Sequence, residues 1–515
     1  MRTLLVSLSI LLSVAMGAAQ DLANAIKKIT DADDYKHGRW GILIVDTKTG
    51  EKLYARNAET MFAPASVTKL YSCAAALTTL GADYKFETPV FAVGKIKEGE
   101  LSGDLVLVAK GDLTFGGRNS KDGKTLFTNG DHTYADATVG GSELTDSDPL
   151  FAFKDLAKQV KAADITTING DVLIDDRMFV PAEGSGSGPR VVSPMLANDN
   201  LIDFTVTPGE KPGDKATVTI RPQTAYLNND IDVVTVEKGK ASFNVLSHEP
   251  SEFAMRGSIA VGSKPIIGIL PVRKPADFAR TLFIEALKAE GVRVLAPVVR
   301  KQSTSELPRD EAYSGLKPVA VFKSLPFGEM ITVTLKVSHN LYASTLPLLV
   351  ANKKNAGKTL SEGLKAQGAV LKDLGVEIEA ISFAGGAGGQ NADHVTPRAT
   401  VDLIQAMRKR PEWEVYKNAL PVLGVDGTLA TVVDAKSPAK GKVFAKTGTL
   451  SWTDYVNGRE YLTSKALAGV MTTASGRELT LAMFVNDVPL PPGVRTAREG
   501  KALGKICEAI YENVK

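Results

Sequence analysis

The chain has 515 residues, 44% hydrophobic and 23% charged, with 61 basic against 58 acidic side chains and a net charge of +3. That length exceeds one ordinary core and calls for two or three domains. The charge is near balance, with no basic stripe and no interleaved aromatics, so nothing points to a nucleic-acid partner.

Arg2, the apolar run Leu4 to Val14 and the small residues Gly17-Ala18-Ala19 read as a secretory signal over residues 1–19, with the mature chain starting near Gln20. The run is shorter than the roughly 20 residues that cross a bilayer, and no cysteine follows for lipid attachment. The expectation is export across the inner membrane to the periplasm, or to the cell wall or medium, with no stable membrane anchor. Leu22, Ile26 and Ile29 are spaced as a helix, and a hairpin follows, Ile42-Leu43-Ile44-Val45 against Lys52-Leu53-Tyr54, turned at Lys48-Thr49-Gly50. An apolar helix then runs from Ser66 toward Gly81. From about Pro89 short strands and loops take over, punctuated by Gly116-Gly117, Asn129-Gly130-Asp131 and Gly140-Gly141.

Two similar units occur in that stretch. One is a helix around Phe151 to Ala162 leading to Asp171-Val172-Leu173-Ile174; the other is a helix around Ala276 to Ala289 leading to Val292-Arg293-Val294. Between them Ala216 to Ile220 and Asp232 to Val236 alternate as strands do. The mixed pattern resumes near Tyr313. It carries a helix marked by Leu341, Leu346 and Leu349, a strand Lys442 to Ala445, and a hairpin of Ala466 to Met471 against Leu479 to Phe484. A terminal helix striped by Leu503, Ile506, Ile510 and Val514 closes the chain.

Ser66-Val67-Thr68-Lys69 is the most informative tetrad. Its i, i+3 spacing puts a hydroxyl and an amine on one helical face. A serine hydroxyl needs a base to become a nucleophile, and a lysine serves when a desolvated, cation-rich pocket lowers its pKa. Ser-x-x-Lys alone is unspecific, since Ser314 to Lys317 and Ser437 to Lys440 repeat it. Order supplies the specificity: Ser338-His339-Asn340 follows at the head of a helix, and Lys446-Thr447-Gly448-Thr449 comes later, at the end of a strand. The decoys Ser242-Phe243-Asn244 and Lys48-Thr49-Gly50 fall in the wrong places.

The set Ser-x-x-Lys, Ser-x-Asn, Lys-Thr-Gly resembles the penicillin-recognising serine enzymes, the penicillin-binding proteins and serine β-lactamases. Ser66 and Ser338 lie 272 positions apart, far more than a compact β-lactamase uses, so inserted domains must account for the excess. With Ser193-Pro194-Met195-Leu196-Ala197-Asn198-Asp199-Asn200 and Gly424-Val425-Asp426-Gly427-Thr428-Leu429, the chain looks like a low-molecular-mass class C penicillin-binding protein of the D-alanyl-D-alanine carboxypeptidase/endopeptidase family. The resemblance implies an α/β (α+β) fold, a penicillin-binding-protein/serine β-lactamase-like catalytic domain with a large inserted region of two further subdomains. The boundaries expected are residues 20–88 for the first part of the catalytic domain, 89–214 for the first part of inserted domain II, 215–262 for a nested strand-rich domain III, 263–311 for the second part of domain II, and 312–515 for the rest of the catalytic domain.

The activity so implied is that of a serine-type D-Ala-D-Ala carboxypeptidase, DD-endopeptidase or both, acting on peptidoglycan stem peptides through an acyl-enzyme and acylated by β-lactam antibiotics. Ser66 is the expected nucleophile and Lys69 its base. The family implies that Ser338 relays a proton to the leaving amine and that Asn340 orients the substrate amide. Lys446 would attract the terminal carboxylate and, as a second cation, help keep Lys69 neutral. Thr447 and Thr449 could hydrogen-bond that carboxylate, and Gly448 lets the strand come close. The backbone N–H groups of Ser66 and Thr449 would form an oxyanion hole, worth roughly 3 kcal/mol per donor.

No cofactor and no metal are expected. The five histidines, His37, His132, His248, His339 and His394, form no His-Glu-x-x-His pattern. His339 reads as a solvent-side residue between Ser338 and Asn340. Cys73 and Cys507 could pair in an oxidising compartment, but Cys73 falls within the Ser66 helix, where a small buried residue is the simpler reading, and two free thiols are favoured. Two departures from the family stand out. Gly385-Gly386-Ala387-Gly388 precedes Val395-Thr396-Pro397 where relatives carry Asp-Gly-Ser-Gly, and Ser344 replaces a common glutamate. The competing functions are a β-lactamase or esterase using the same motifs, and a non-catalytic peptidoglycan- or penicillin-binding protein.

Overall fold

The computed structural model describes residues 20–136, 140–247, 251–390 and 392–514; the expected export signal lies outside them, as do His248 and Asn391. The chain divides into two compact units. The first takes the chain up to Gly81 together with Ile331–His339 and Leu364–Lys515; the second takes Ala82–Met330 and Asn340–Gly363.

The first unit is built on a five-stranded antiparallel sheet. Its order is Val443–Asp454, Arg459–Thr472, Glu478–Pro489, Arg39–Asp46 and Lys52–Arg56. The third and fourth of these are buried at almost every position, which means that both faces are covered. On one face Trp40, Ile42 and Ile44 join Leu22 and Ile26 of a helix over 20–30 and Leu503, Ile506 and Ile510 of the terminal helix Ala497–Asn513 in one core. On the other, Gly41 has no side chain where Phe62 lies, and Phe62 stacks on Phe484 at 6.0 Å. The segment leading to Ser66 is thereby pressed onto that face. Asn486 holds it by accepting from Ala63 N at 2.8 Å and donating to Ala63 O at 3.2 Å, and Ser464 Oγ donates to the same carbonyl at 2.6 Å.

The strand bearing Lys446-Thr447-Gly448 does not end there. It runs twelve residues to Asp454, paired throughout with Arg459–Thr472 as the sheet's edge strand. The alternating β-branched Thr447 and Thr449 carry it onward. Cys73 and Cys507 are both buried and unpaired.

In the second unit the two expected helix–strand units are present. Helices Phe151–Ala162 and Pro275–Ala289 share a core with a six-stranded sheet, in which Thr167–Ile168 and Arg293–Val294 run parallel. Two three-stranded sheets accompany it. One is ordered Thr217–Arg221, Leu201–Thr207, Ile266–Pro271 and the other Asn228–Val236, Glu252–Ala260, Ser242–Leu246. The Ala197-Asn198-Asp199-Asn200 stretch holds three consecutive residues at φ of 45°, 55° and 54°. A buried ionic network fixes it: Arg118 pairs with Asp131 and Asp199 at 2.8 Å each, while His132 bridges Asp199 at 2.9 Å and Asp203 at 2.6 Å. Removing the cation would leave buried carboxylates uncompensated. Arg118→Met should therefore destabilise the protein by about 3 kcal/mol or more, read as a lowered urea midpoint.

Candidate active site

Ser66 sits in a short 3-10 turn, Ala65–Val67, that runs directly into the helix Thr68–Leu80. Ala65, just before it, has φ of 44°, a left-handed conformation disfavoured for alanine by roughly 1–2 kcal/mol. The surrounding contacts hold it there, which is the usual setting of backbone strain at a reactive site. Lys69 lies one turn on, wholly buried, with Nζ 2.9 Å from Ser66 Oγ and donating to the Ala387 carbonyl at 2.7 Å. Burial pushes its pKa down to about 7, against the opposing fields of Cys73 and Asp393. A lysine so placed is neutral in a large fraction of molecules near pH 7.

Lys446 is also fully buried, its Nζ donating to Thr447 O at 2.8 Å. Burial lowers its pKa well below the ordinary lysine value, and the Lys69 charge lowers it further. The two amines therefore compete for charge in one dry site. Thr447 Oγ1 donates to Thr428 Oγ1 at 2.6 Å, and the exposed Thr449 accepts from Lys465 at 2.8 Å. At Gly448 a Cβ would lie 2.4 Å from Pro64 O and 3.2 Å from Ser66 N. The edge strand thus runs directly beside the Ser66 amide, and the glycine serves that contact.

Ser338 is 7% exposed and has φ of 64°, turning the chain out of the preceding helix after His339 N has bonded back to Thr334 O at 3.1 Å. That turn corrects the reading of His339, which is wholly buried rather than on the solvent side. Asn340 begins the second unit, where its amide donates to Ser187 O at 2.9 Å beside Gly186. The first unit therefore brings together Ser66, Lys69, Lys446 and Gly448, with Thr447 and Thr449 on the same strand, and it contains Ser338. Asn340 belongs to the other unit.

Several contributors escape sequence reasoning. Asp426 accepts from Lys336 Nζ at 2.7 and 2.8 Å and, through Oδ1, from Val422 N at 2.8 Å, fixing the loop that presents Thr428 to Thr447. The glycine loop 384–390 closes over Lys69. Gly388, at φ of 85°, touches Ala65 so closely that a Cβ would fall on its carbonyl, and Gly386 O accepts from Ser72 at 2.7 Å. Asp393, 1% exposed, accepts from Ala384 N at 2.8 Å. A lone aspartate four positions past Gly389 gives no spacing signal, because its role depends on how the loop folds back.

Residues 22–502 match the D-Ala-D-Ala carboxypeptidase 3 (S13) family. The chain is 28% identical over 441 residues to a D-alanyl-D-alanine carboxypeptidase of Actinomadura sp. (strain R39), covering 81% of this chain and 74% of that one. It is 23% identical over 448 residues to the D-alanyl-D-alanine carboxypeptidase DacB of Haemophilus influenzae, covering 84% and 81%. The fold is similar to the crystal structure of penicillin binding protein 4 from Haemophilus influenzae, with a TM-score of 0.70 at 20% identity over 95% of this chain and 98% of that one. This likeness places the chain among the mixed penicillin-binding-protein folds.

The close strand-to-turn contact generates a test. Gly448→Ala should force the edge strand away from Pro64 and Ser66 and slow acylation by about a hundredfold, since misplacement of about 1 Å at a reacting centre has that scale of effect. Stopped-flow acylation by a chromogenic β-lactam measures it, with circular dichroism as the check on folding.

Proposed function

The chain belongs to the D-Ala-D-Ala carboxypeptidase 3 (S13) family, and on that premise we propose that Ser66 is the nucleophile and Lys69 the base of a serine-type enzyme that trims or uncouples peptidoglycan stem peptides. The observation that carries the assignment is the wholly buried Lys69 amine 2.9 Å from Ser66 Oγ. Neutral Lys69 takes the Ser66 proton as Oγ adds to the carbonyl of the penultimate D-alanine. The tetrahedral oxyanion lies between Ser66 N–H and the edge strand beside Gly448, at Thr449 N–H. The C–N bond breaks, the leaving amine receives its proton by way of Ser338, and a Ser66 ester remains. Water hydrolyses that ester, releasing the shortened peptide and restoring Ser66. When the amine belongs to a neighbouring stem instead of a free D-alanine, the same sequence cuts a cross-link.

Lys446 is the binding group for the terminal carboxylate. An arriving anion favours a protonated Lys446, and the charge competition between the two amines then leaves Lys69 as the neutral partner. Asn340 is the group for the substrate amide. An open cleft of about 280 Å³ on the first unit, lined by Arg39, Ala63, Trp452 and Tyr461 among others, leaves room for the peptide beyond the reacting bond. β-Lactams acylate Ser66 as substrate mimics. No helix among the described residues is long and apolar enough to cross a membrane. With the leader read at 1–19, the place of action proposed is the periplasm.

Three measurements test this reading. A labelled penicillin should add covalently to the peptide containing Ser66; labelling at Ser314 or Ser437 overturns the assignment. Lys69→Arg, whose guanidinium stays protonated, should abolish acylation in a folded protein, and acylation at the parental rate means that Lys69 is not the base. Lys446→Ala should lower kcat/KM strongly on a peptide ending in D-Ala-D-Ala and much less on its C-terminal amide. Equal losses on both substrates would show that Lys446 does not read the carboxylate.

A further inference from the structure

The glycine loop lacks the acidic residue that the family resemblance leads one to expect at 385, yet the carboxylate of Asp393 binds the loop's own backbone at Ala384. Asp393 is buried; its carboxyl accepts from Ala384 N at 2.8 Å and its own N–H donates to Gln390 O at 3.2 Å, so one residue ties both ends of the loop together. Between those ends Ala387 O accepts from Lys69 and Gly386 O accepts from Ser72. The second carboxyl oxygen, Oδ2, is buried with no hydrogen-bond partner. An aspartate serving only as a brace gains nothing from that oxygen, because an asparagine would offer the same acceptor at Oδ1 without an uncompensated charge.

We propose that Asp393 is a positioning residue for the reaction: its carboxylate braces loop 384–390, so that Ala387 holds Lys69 in place, and its negative charge sets the pH at which Lys69 becomes a base.

Cys73 on the helix after Ser66 and Lys446 on the edge strand belong to the Lys69 environment, and His394 is the titratable neighbour that faces Asp393. Burial pushes the Cys73 thiol far above its ordinary value, so it is neutral at working pH. Asp393 is thus the anion that acts on Lys69 among these groups. Burial raises Asp393 to about 6, against the hydrogen bonds that lower it, and Lys69 stands at about 7. Near neutrality the carboxyl is therefore mostly ionised and favours the protonated form of Lys69, opposing the desolvation that neutralises the amine.

The inference rests on Lys69 being the base for Ser66, and Asp393→Asn tests it, since the amide keeps the shape and an acceptor for Ala384 N and removes the charge. The acylation rate by a chromogenic β-lactam is followed from pH 5 to pH 9 for both proteins, each scaled to its own plateau. Without the anion the Lys69 pKa falls, so the midpoint of the acid limb should move to lower pH. A shift of about one unit raises the neutral fraction at pH 6 from about one tenth to about one half, a roughly fivefold gain relative to plateau.

A second readout needs no activity. The folded pKa of Asp393 lies above the ordinary 3.8. Its contribution to stability is therefore fully present below about pH 4 and is lost as pH rises through about 6. The amide does not titrate, so the Tm of Asp393→Asn minus that of the parent should grow between pH 4 and pH 7. Asp393→Ala, which loses the hydrogen bonds as well, should also lower the plateau. A midpoint that stays or rises, a flat Tm difference, or an Asp393→Ala plateau equal to the parent's overturns the inference. If Lys69→Arg acylates normally, the choice of base has failed. If that variant is dead and only the Asp393 midpoint is unmoved, this inference alone has failed.

Discussion

Desolvation of the Lys69 amine is the physical condition on which the site depends, because an ammonium in water would hold its proton some three orders of magnitude too tightly to accept one from serine near pH 7. The structure removes water with backbone rather than with bulk. The nucleophile turn, the edge strand and the glycine loop converge on one buried lysine, and at Gly448 and Gly388 they approach so closely that no side chain fits. The Ser66 hydroxyl and the Ala387 carbonyl both lie within hydrogen-bonding distance of the amine. Strain at Ala65 and Ser338, both left-handed, is the local consequence of that convergence.

The same dry environment governs Lys446. Two buried amines cannot both be charged at little cost, so whatever decides which of them is protonated also decides whether Ser66 can be activated. In the role proposed for Lys446, an anionic substrate end favours charge on that amine, which would couple recognition of the peptide's terminus to activation of Ser66. Asp393 acts on the same balance from the other side, through Lys69 itself. The site is better described as a shared proton among coupled groups than as a serine with an attendant base.

Much of this was legible in the chain. The spacing of Ser66 and Lys69 is a property of helical geometry, and the alternation around Lys446 is a property of strands, so both survive folding unchanged. The paired helix–strand units at 151–174 and 276–294 were visible for the same reason. What could not be read are contacts that depend on where distant backbones meet. His339 looked solvent-facing because its neighbours are polar, and only the left-handed turn at Ser338 sends it inward. Gly448 reads as a glycine that lets the strand come close, but that its absent side chain makes room for Pro64 and Ser66 has no local signal. Asp393 has no motif, since its carboxyl's partner is the main-chain N–H of Ala384, in a loop whose path no local pattern specifies.

The sheet that carries the nucleophile is assembled from the two ends of the chain. Arg39 pairs with Asn486 and Asp46 with Leu479, while Lys52–Arg56 pairs only with Arg39–Asp46. A ribosome or an export channel that delivers the chain from its N-terminus therefore releases Ser66 long before its supporting strands exist. The sheets of the intervening unit close within residues 87–323 and take no strand from the later part of the chain. Until the last forty residues emerge, the N-terminal hairpin has an open hydrogen-bonding edge and an uncovered apolar face. Late completion means that the segment carrying Ser66 lacks its supporting strands until Glu478–Pro489 has been delivered.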